Sequence, residues 1–176
     1  MCLLAGVSTP LVELILGRKW LFAATLIVPL CFSMMWFPIH SINLNLLEVK
    51  GRSDLFLKVE IIKKVIGVAI LVFSIQFGLL AMCWIGIIGS LISLIVNTYY
   101  TGKLINVGFF VQMRDLSGTL ITSLLAFCLA WAVTLFVKGV IIQLIIGVII
   151  GSLFFVGTCF LFRFKEIEFL KSIVRQ

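Results

Sequence analysis

Few side chains in this 176-residue chain are capable of chemistry, and most of those few lie inside long apolar runs. They are Glu13, His40, Lys63, Lys64, Gln76, Asn97, Lys103, Lys138 and Gln143. An ionisable or amide group is costly to hold in hydrocarbon, so each is a candidate for function. Glu13 follows Pro10 in an apolar stretch. A helix broken there, with its carboxylate lining a cavity, suits a cation or proton site, whereas an ion pair with Arg18 is the structural alternative. Lys103 and Lys138 stand at the ends of apolar runs and can snorkel to headgroups. Gln76 falls in a turn, and Gln143 suits a hydrogen bond to a neighbouring helix.

The densest charge cluster is Lys50, Arg52, Asp54, Lys58, Glu60, Lys63 and Lys64. It reads either as a topology anchor drawn to anionic lipid or as a basic mouth for a phosphorylated lipid. In the second reading Arg52 clasps phosphate oxygens bidentately, while Lys63 and Lys64 act as point charges. Glu60 and Lys64 stand in the favourable i,i+4 order for an ion pair. Five cysteines without a CxxC and a single histidine argue for free thiols and against a metal centre. No phosphate-cradling loop, metal motif or nucleophile elbow is present, so neither an enzyme nor a cofactor is expected.

Composition names the solvent in which these groups must work. Apolar residues make up 62% of the chain, charged residues 12%, and the mean hydropathy is +1.29. A soluble domain carries roughly 25% charged residues to wet its surface. This chain cannot do so, which excludes a soluble enzyme, a nucleic-acid reader and a disordered tail. Its net charge of +7 lies in connectors between apolar runs, the pattern that orients membrane proteins.

Crossing about 30 Å of hydrocarbon takes around 20 apolar residues. Five stretches qualify: 21–42, 59–77, 80–104, 116–137 and 139–162. Ahead of them, residues 1–16 read as the last part of a helix whose beginning is missing. The expected fold is an all-α integral membrane protein, an antiparallel bundle of five full spans forming one transmembrane domain over 1–176. Ser53 is an expected N-cap, Asp115 and Ser117 are expected to open the fourth span, and Pro29 and Pro38 to kink the first. Gly147 with Gly151, and Gly86 with Ser90, are small-residue pairs suited to close helix packing. Trp20, Trp36, Trp84, Trp131, Tyr99 and Tyr100 suit an interfacial belt.

Orientation follows from the basic residues. Arg18, Lys19 and Lys138 fall on one side of the membrane, and the other eleven of the 14 fall opposite. The side with eleven is the expected cytoplasmic side and includes the tail, 163–176. In that tail Phe164, Ile167, Leu170 and Val174 share one helical face, as in an interfacial amphipathic stub.

Three segments carry a resemblance. Pro10-Leu11-Val12-Glu13-Leu14-Ile15-Leu16-Gly17-Arg18-Lys19-Trp20, the stretch from Ile42 to Lys64 and Asn97-Thr98-Tyr99-Tyr100-Thr101-Gly102-Lys103-Leu104-Ile105 are similar to the Wzx-like polysaccharide and lipopolysaccharide flippases. These belong to the multidrug/oligosaccharidyl-lipid/polysaccharide superfamily. The resemblance covers about two thirds of the chain and continues in hydropathy alone. It implies the C-terminal portion of a two-lobed transporter in a bacterial inner membrane, with a missing N-terminal lobe as its partner. The implied activity is translocation of a polyprenyl-diphosphate-linked oligosaccharide by alternating access, for O-antigen or other polysaccharide export. A cation-coupled multidrug exporter of the same superfamily predicts acidic residues in the cavity, and only Glu13 qualifies. A non-transporting membrane scaffold is the third reading.

Overall fold

The computed structural model describes residues 1–105 and 107–161. Among them the chain is helical and contains no strand. In order the helices are α1 (Cys2–Gly6), α2 (Ser8–Ile15), α3 (Leu21–Met34), α4 (Phe37–Val49), α5 (Ser53–Ser74), α6 (Leu79–Ile105), α7 (Phe109–Phe136) and α8 (Val140–Leu161). Short 3-10 turns at Arg18–Trp20 and Ile75–Phe77 lie between α2 and α3 and between α5 and α6. Among the described residues four stretches are long and apolar enough to cross a membrane: Arg18–Val49, Leu79–Ile105, Phe109–Phe136 and Val140–Phe160. Large apolar side chains are widely exposed, among them Phe22, Val65, Ile88, Leu135 and Leu153, as expected where lipid is the solvent.

The differences from the sequence reading have local causes. The stretch expected as a single kinked span over 21–42 is two helices, α3 and α4, parted at Met35–Trp36. Pro29 is accommodated inside α3, whereas Pro38 sits in the first turn of α4, where its missing N–H costs nothing. Residues 1–16 form two short helices instead of one partial helix. Residues 59–77 fall within α5 and its following turn, which is not among the four apolar stretches. Lys58, Glu60, Lys63 and Lys64 leave only residues 65–77 free of charge. Asp115 and Ser117 lie inside α7, which starts six residues earlier at Phe109, so neither occupies a helix N-terminus. Ser53 is the first residue of α5 and Arg52 occupies the cap position, with no side-chain capping bond. The tail and its amphipathic face lie outside the described residues.

Two compact units make up the chain. One consists mainly of Phe22–Leu116 and holds α4, α5, α6, nearly all of α3 and the start of α7. Within it α6 packs on α4 and α5, and α4 packs on α5. The Ser90 hydroxyl donates to the Ser33 carbonyl at 2.8 Å and ties α6 to α3. Buried positions here include Asn43, Ser74, Asn97, Thr98 and Thr101 beside Leu47, Val59 and Leu94. A hydrocarbon solvent leaves little hydrophobic force between helices, so hydrogen bonds and close contact must supply cohesion.

The second unit consists of Cys2–Leu21 and residues from Ser117 onward. It coheres through glycines. A β-carbon on Gly6 would stand 2.9 Å from Ala130 Cβ and 3.1 Å from the Phe127 carbonyl, so α1 meets α7 almost backbone to backbone. Gly147 and Gly151 of α8 accept Val7 and Leu3 respectively, which gives the GxxxG pair the packing role expected of it. Gly86 differs, since a β-carbon there meets nothing within 4 Å, and only its carbonyl is engaged, by Ser33. Gln143 donates to the carbonyls of Thr134 and Val137 at 3.1 and 2.7 Å, satisfying the end of α7 from α8.

Candidate functional site

Buried and half-buried polar side chains gather in the first unit on facing sides of α4 and α6. His40 and Asn43 lie three residues apart on α4 and so share a face, as do Asn97 and Thr101 on α6, four residues apart. Asn97 Nδ2 and His40 Nδ1 lie 2.8 Å apart. Asn43 and Gln112 exchange two bonds, amide to amide, each of 3.1 Å. Gln112 also donates to the Val107 carbonyl at 3.2 Å. The buried hydroxyls of Thr98 and Thr101 turn back to carbonyls of their own helix, at Leu94, Ile95 and Asn97. Asn97 Oδ1 is left without a hydrogen-bond partner among the described residues, although Asn97 is 1% exposed. An unsatisfied buried acceptor costs about 1–3 kcal/mol, so its presence calls for an explanation.

Charged groups stand around this row. Glu60 and Lys63 of α5 form an ion pair, with side chains 28% and 14% exposed, and both act electrostatically on His40. Pairing makes the charges tolerable at that depth, because an isolated one would cost far more. Farther along α6, Lys103 Nζ lies 4.5 Å from the centre of the Tyr99 ring, and Lys58 Nζ of α5 lies 5.9 Å from that of Tyr100. Both are within cation–π range. The two tyrosine rings meet edge to face at 5.5 Å. Beside them opens a cavity of about 550 Å³ lined by Ile95, Thr98, Tyr99, Gly102, Lys103, Gly108 and Phe109. It offers an aromatic face, a cation and an apolar wall to one ligand.

The residues nominated from sequence are dispersed. The Arg52 fork is occupied by Asp54 through two 3.0 Å bonds. That hydrogen-bonded guanidinium holds the Asp54 carboxyl below the usual carboxylate range. Lys63 is paired with Glu60 at i,i+3, and Glu60 does not take the i,i+4 partner, Lys64, expected for it. Lys64 is exposed. Arg52 lies roughly 16 Å along the axis from Lys63 at 1.5 Å per residue, so the three do not converge. Glu13, the candidate cation or proton ligand, belongs to the other unit and pairs with Arg18 at 2.8 Å. His40 and Asn97 carried a sequence signal as polar groups in apolar runs. Asn43, Gln112 and the lysine–tyrosine stacks carried none that spacing could reveal. No group of three or more His, Cys, Asp or Glu side chains able to hold a metal occurs among the described residues.

With the described residues helical and four membrane-length apolar stretches among them, the chain is a membrane protein of the helical class. No protein-family model, curated protein or solved structure matches it.

Proposed function

We propose that this chain is part of a membrane transporter that moves a polyprenyl-diphosphate-linked oligosaccharide across a bacterial inner membrane by alternating access. The observation that carries the reading is the cavity at Tyr99 and Lys103, in the same helical unit as the polar row of His40, Asn97, Asn43 and Gln112. A diphosphate linked to sugars cannot enter hydrocarbon unaided, because buried unpaired charge costs many kcal/mol. It needs cations for the phosphates, aromatic faces and amides for the sugars, and apolar walls for the lipid. Lys103, in the cavity wall, with Lys58 over the adjacent Tyr100 ring, takes the role first given to Arg52, Lys63 and Lys64; the first two already have carboxylate partners, and Lys64 is exposed on α5.

In this reading α5 is the fifth span. Its 22 residues reach about 33 Å, and the Glu60–Lys63 pair neutralises two of the charges that interrupt its apolar length. The spans then alternate in direction, with the Lys50–Asp54 connector, the cavity and the C-terminus on the cytoplasmic side and the Lys138 turn outside.

Binding to the chain in lipid nanodiscs tests the proposal. A polyprenyl-diphosphate oligosaccharide is expected to bind at least about tenfold more tightly than the uncharged polyprenol, the equivalent of one charge-assisted contact. The Lys58→Gln/Lys103→Gln double variant should lose most of that preference. Equal binding of the two lipids by the unmodified chain would overturn the reading.

A further inference from the structure

The orphaned acceptor on Asn97 lies beside an imidazole, an arrangement that can be read without reference to any substrate. We infer that His40 and Asn97 form a proton-binding site that joins α4 to α6 in two alternative hydrogen-bonding states. In the observed state His40 Nδ1 faces the Asn97 amide nitrogen at 2.8 Å. An amide nitrogen can only donate, so Nδ1 accepts and the ring hydrogen resides on Nε2. This state leaves Asn97 Oδ1 without a donor, and the neighbouring hydroxyls of Thr98 and Thr101 are committed to backbone carbonyls.

A proton arriving from water at Nδ1 converts its lone pair into an N–H. Two donors would then oppose each other. A half-turn of the Asn97 carboxamide relieves the clash by presenting Oδ1 to the new N–H. The unsatisfied acceptor thereby becomes the ligand of the protonated state, and no covalent bond other than N–H is made or broken. The partner left without a bond moves from Oδ1 to Nδ2.

The charged groups that face the imidazole from α5 are Glu60 and Lys63, which are paired with each other. From α6 the facing group is the uncharged Asn97, and from the start of α7 it is Gln112, already held by Asn43. Asn97 lies eight residues before the end of α6, or roughly 12 Å along its axis, which places the site well inside the helical layer.

The chain contains one histidine, so nitrogen NMR of histidine-labelled protein in lipid bilayers reports on His40 alone. At neutral to alkaline pH, Nδ1 is expected to be bare and Nε2 protonated. On acidification Nδ1 should gain hydrogen, and the side-chain amide signal of Asn97 should move with the same midpoint. A ring that stays neutral between pH 4 and 8, a neutral form already protonated on Nδ1, or an Asn97 signal that ignores the titration would each overturn the proposal. Asn97→Asp supplies a side chain that in its ionised form only accepts. Nδ1 of that variant should carry hydrogen at a pH where the unmodified protein's is bare, and a bare Nδ1 there would count equally against the site.

Discussion

Alanine substitution at four glycines offers a graded test of how α1, α2, α7 and α8 cohere, because the space around each differs in a known way. Gly→Ala in a helix interior gains up to about 1 kcal/mol of propensity. Packing must exceed that gain to reverse its sign. At Gly157 a β-carbon meets nothing within 4 Å, so the propensity gain should stand alone. At Gly151 the nearest atoms are Leu3 side-chain carbons at 3.4 Å, an ordinary contact, and the effect should be near zero or slightly stabilising. At Gly147 the Val7 methyl at 2.9 Å must turn aside, which offsets most of the gain. Gly6 stands apart, because its β-carbon would meet Ala130 Cβ at 2.9 Å, the Phe127 carbonyl at 3.1 Å and the Trp131 nitrogen at 3.4 Å. Two of those three atoms are backbone and cannot rotate away. Forced separation of well-packed elements costs about 1–3 kcal/mol, and Gly6 ends α1, so little propensity returns. Unfolding in mixed micelles of increasing SDS content should therefore rank the variants Gly157→Ala, Gly151→Ala, Gly147→Ala, Gly6→Ala from most to least stable. A Gly6→Ala protein as stable as Gly157→Ala would refute the backbone contact between α1 and α7.

The remaining expectations are independent of that packing. Asn43→Leu should destabilise the first unit by about 0.6–1.7 kcal/mol through loss of its reciprocal amide pair, and adding Gln112→Leu should cost less than the sum of the single changes; strict additivity in the same SDS titration would show that the pair is uncoupled. Because the folded-state carboxyl of Asp54 titrates below its ordinary range, its contact with Arg52 should be intact above that range and lost as pH falls through the depressed value. Carbon NMR of the Asp54 carboxyl should show the low midpoint, and Arg52→Gln should return it upward. Finally, Lys50→Cys should resist a membrane-impermeant thiol reagent added to intact cells while Lys138→Cys reacts; the reverse pattern would invert the topology proposed from the eleven-to-three distribution of basic residues.

The helical class was legible from hydropathy, and so were the limits of two of the long helices. Leu79–Ile105 and Val140–Leu161 begin and end within about two residues of their expected limits, the usual spread for helix ends. What escaped was decided by neighbours. Pro38 was expected to bend its span, and the chain parts just ahead of it at Met35–Trp36, but that α3 and α4 are separate helices was not legible; Asp115 resembles a helix start until Gly108 and Phe109 are seen to begin the helix before it. Lys64 had the better sequence spacing to Glu60, yet Lys63 took the contact from the less exposed side of α5. His40 and Asn97 were recognisable as misfits in apolar runs. That they are misfits at the same point in space, 57 residues apart in the chain, depended on the register of α4 against α6, which one sequence does not disclose.

The second unit's helices touch through glycine and alanine, whereas α4, α6 and the first turns of α7 are held by amides and an imidazole. Water competes for such hydrogen bonds but has little to offer a glycine contact. Extraction into short-chain detergents, whose micelles admit water, should therefore loosen the helices around His40 while leaving those around Gly6 and Gly147 intact. The choice of amphiphile during purification then decides which half of the fold survives to be studied.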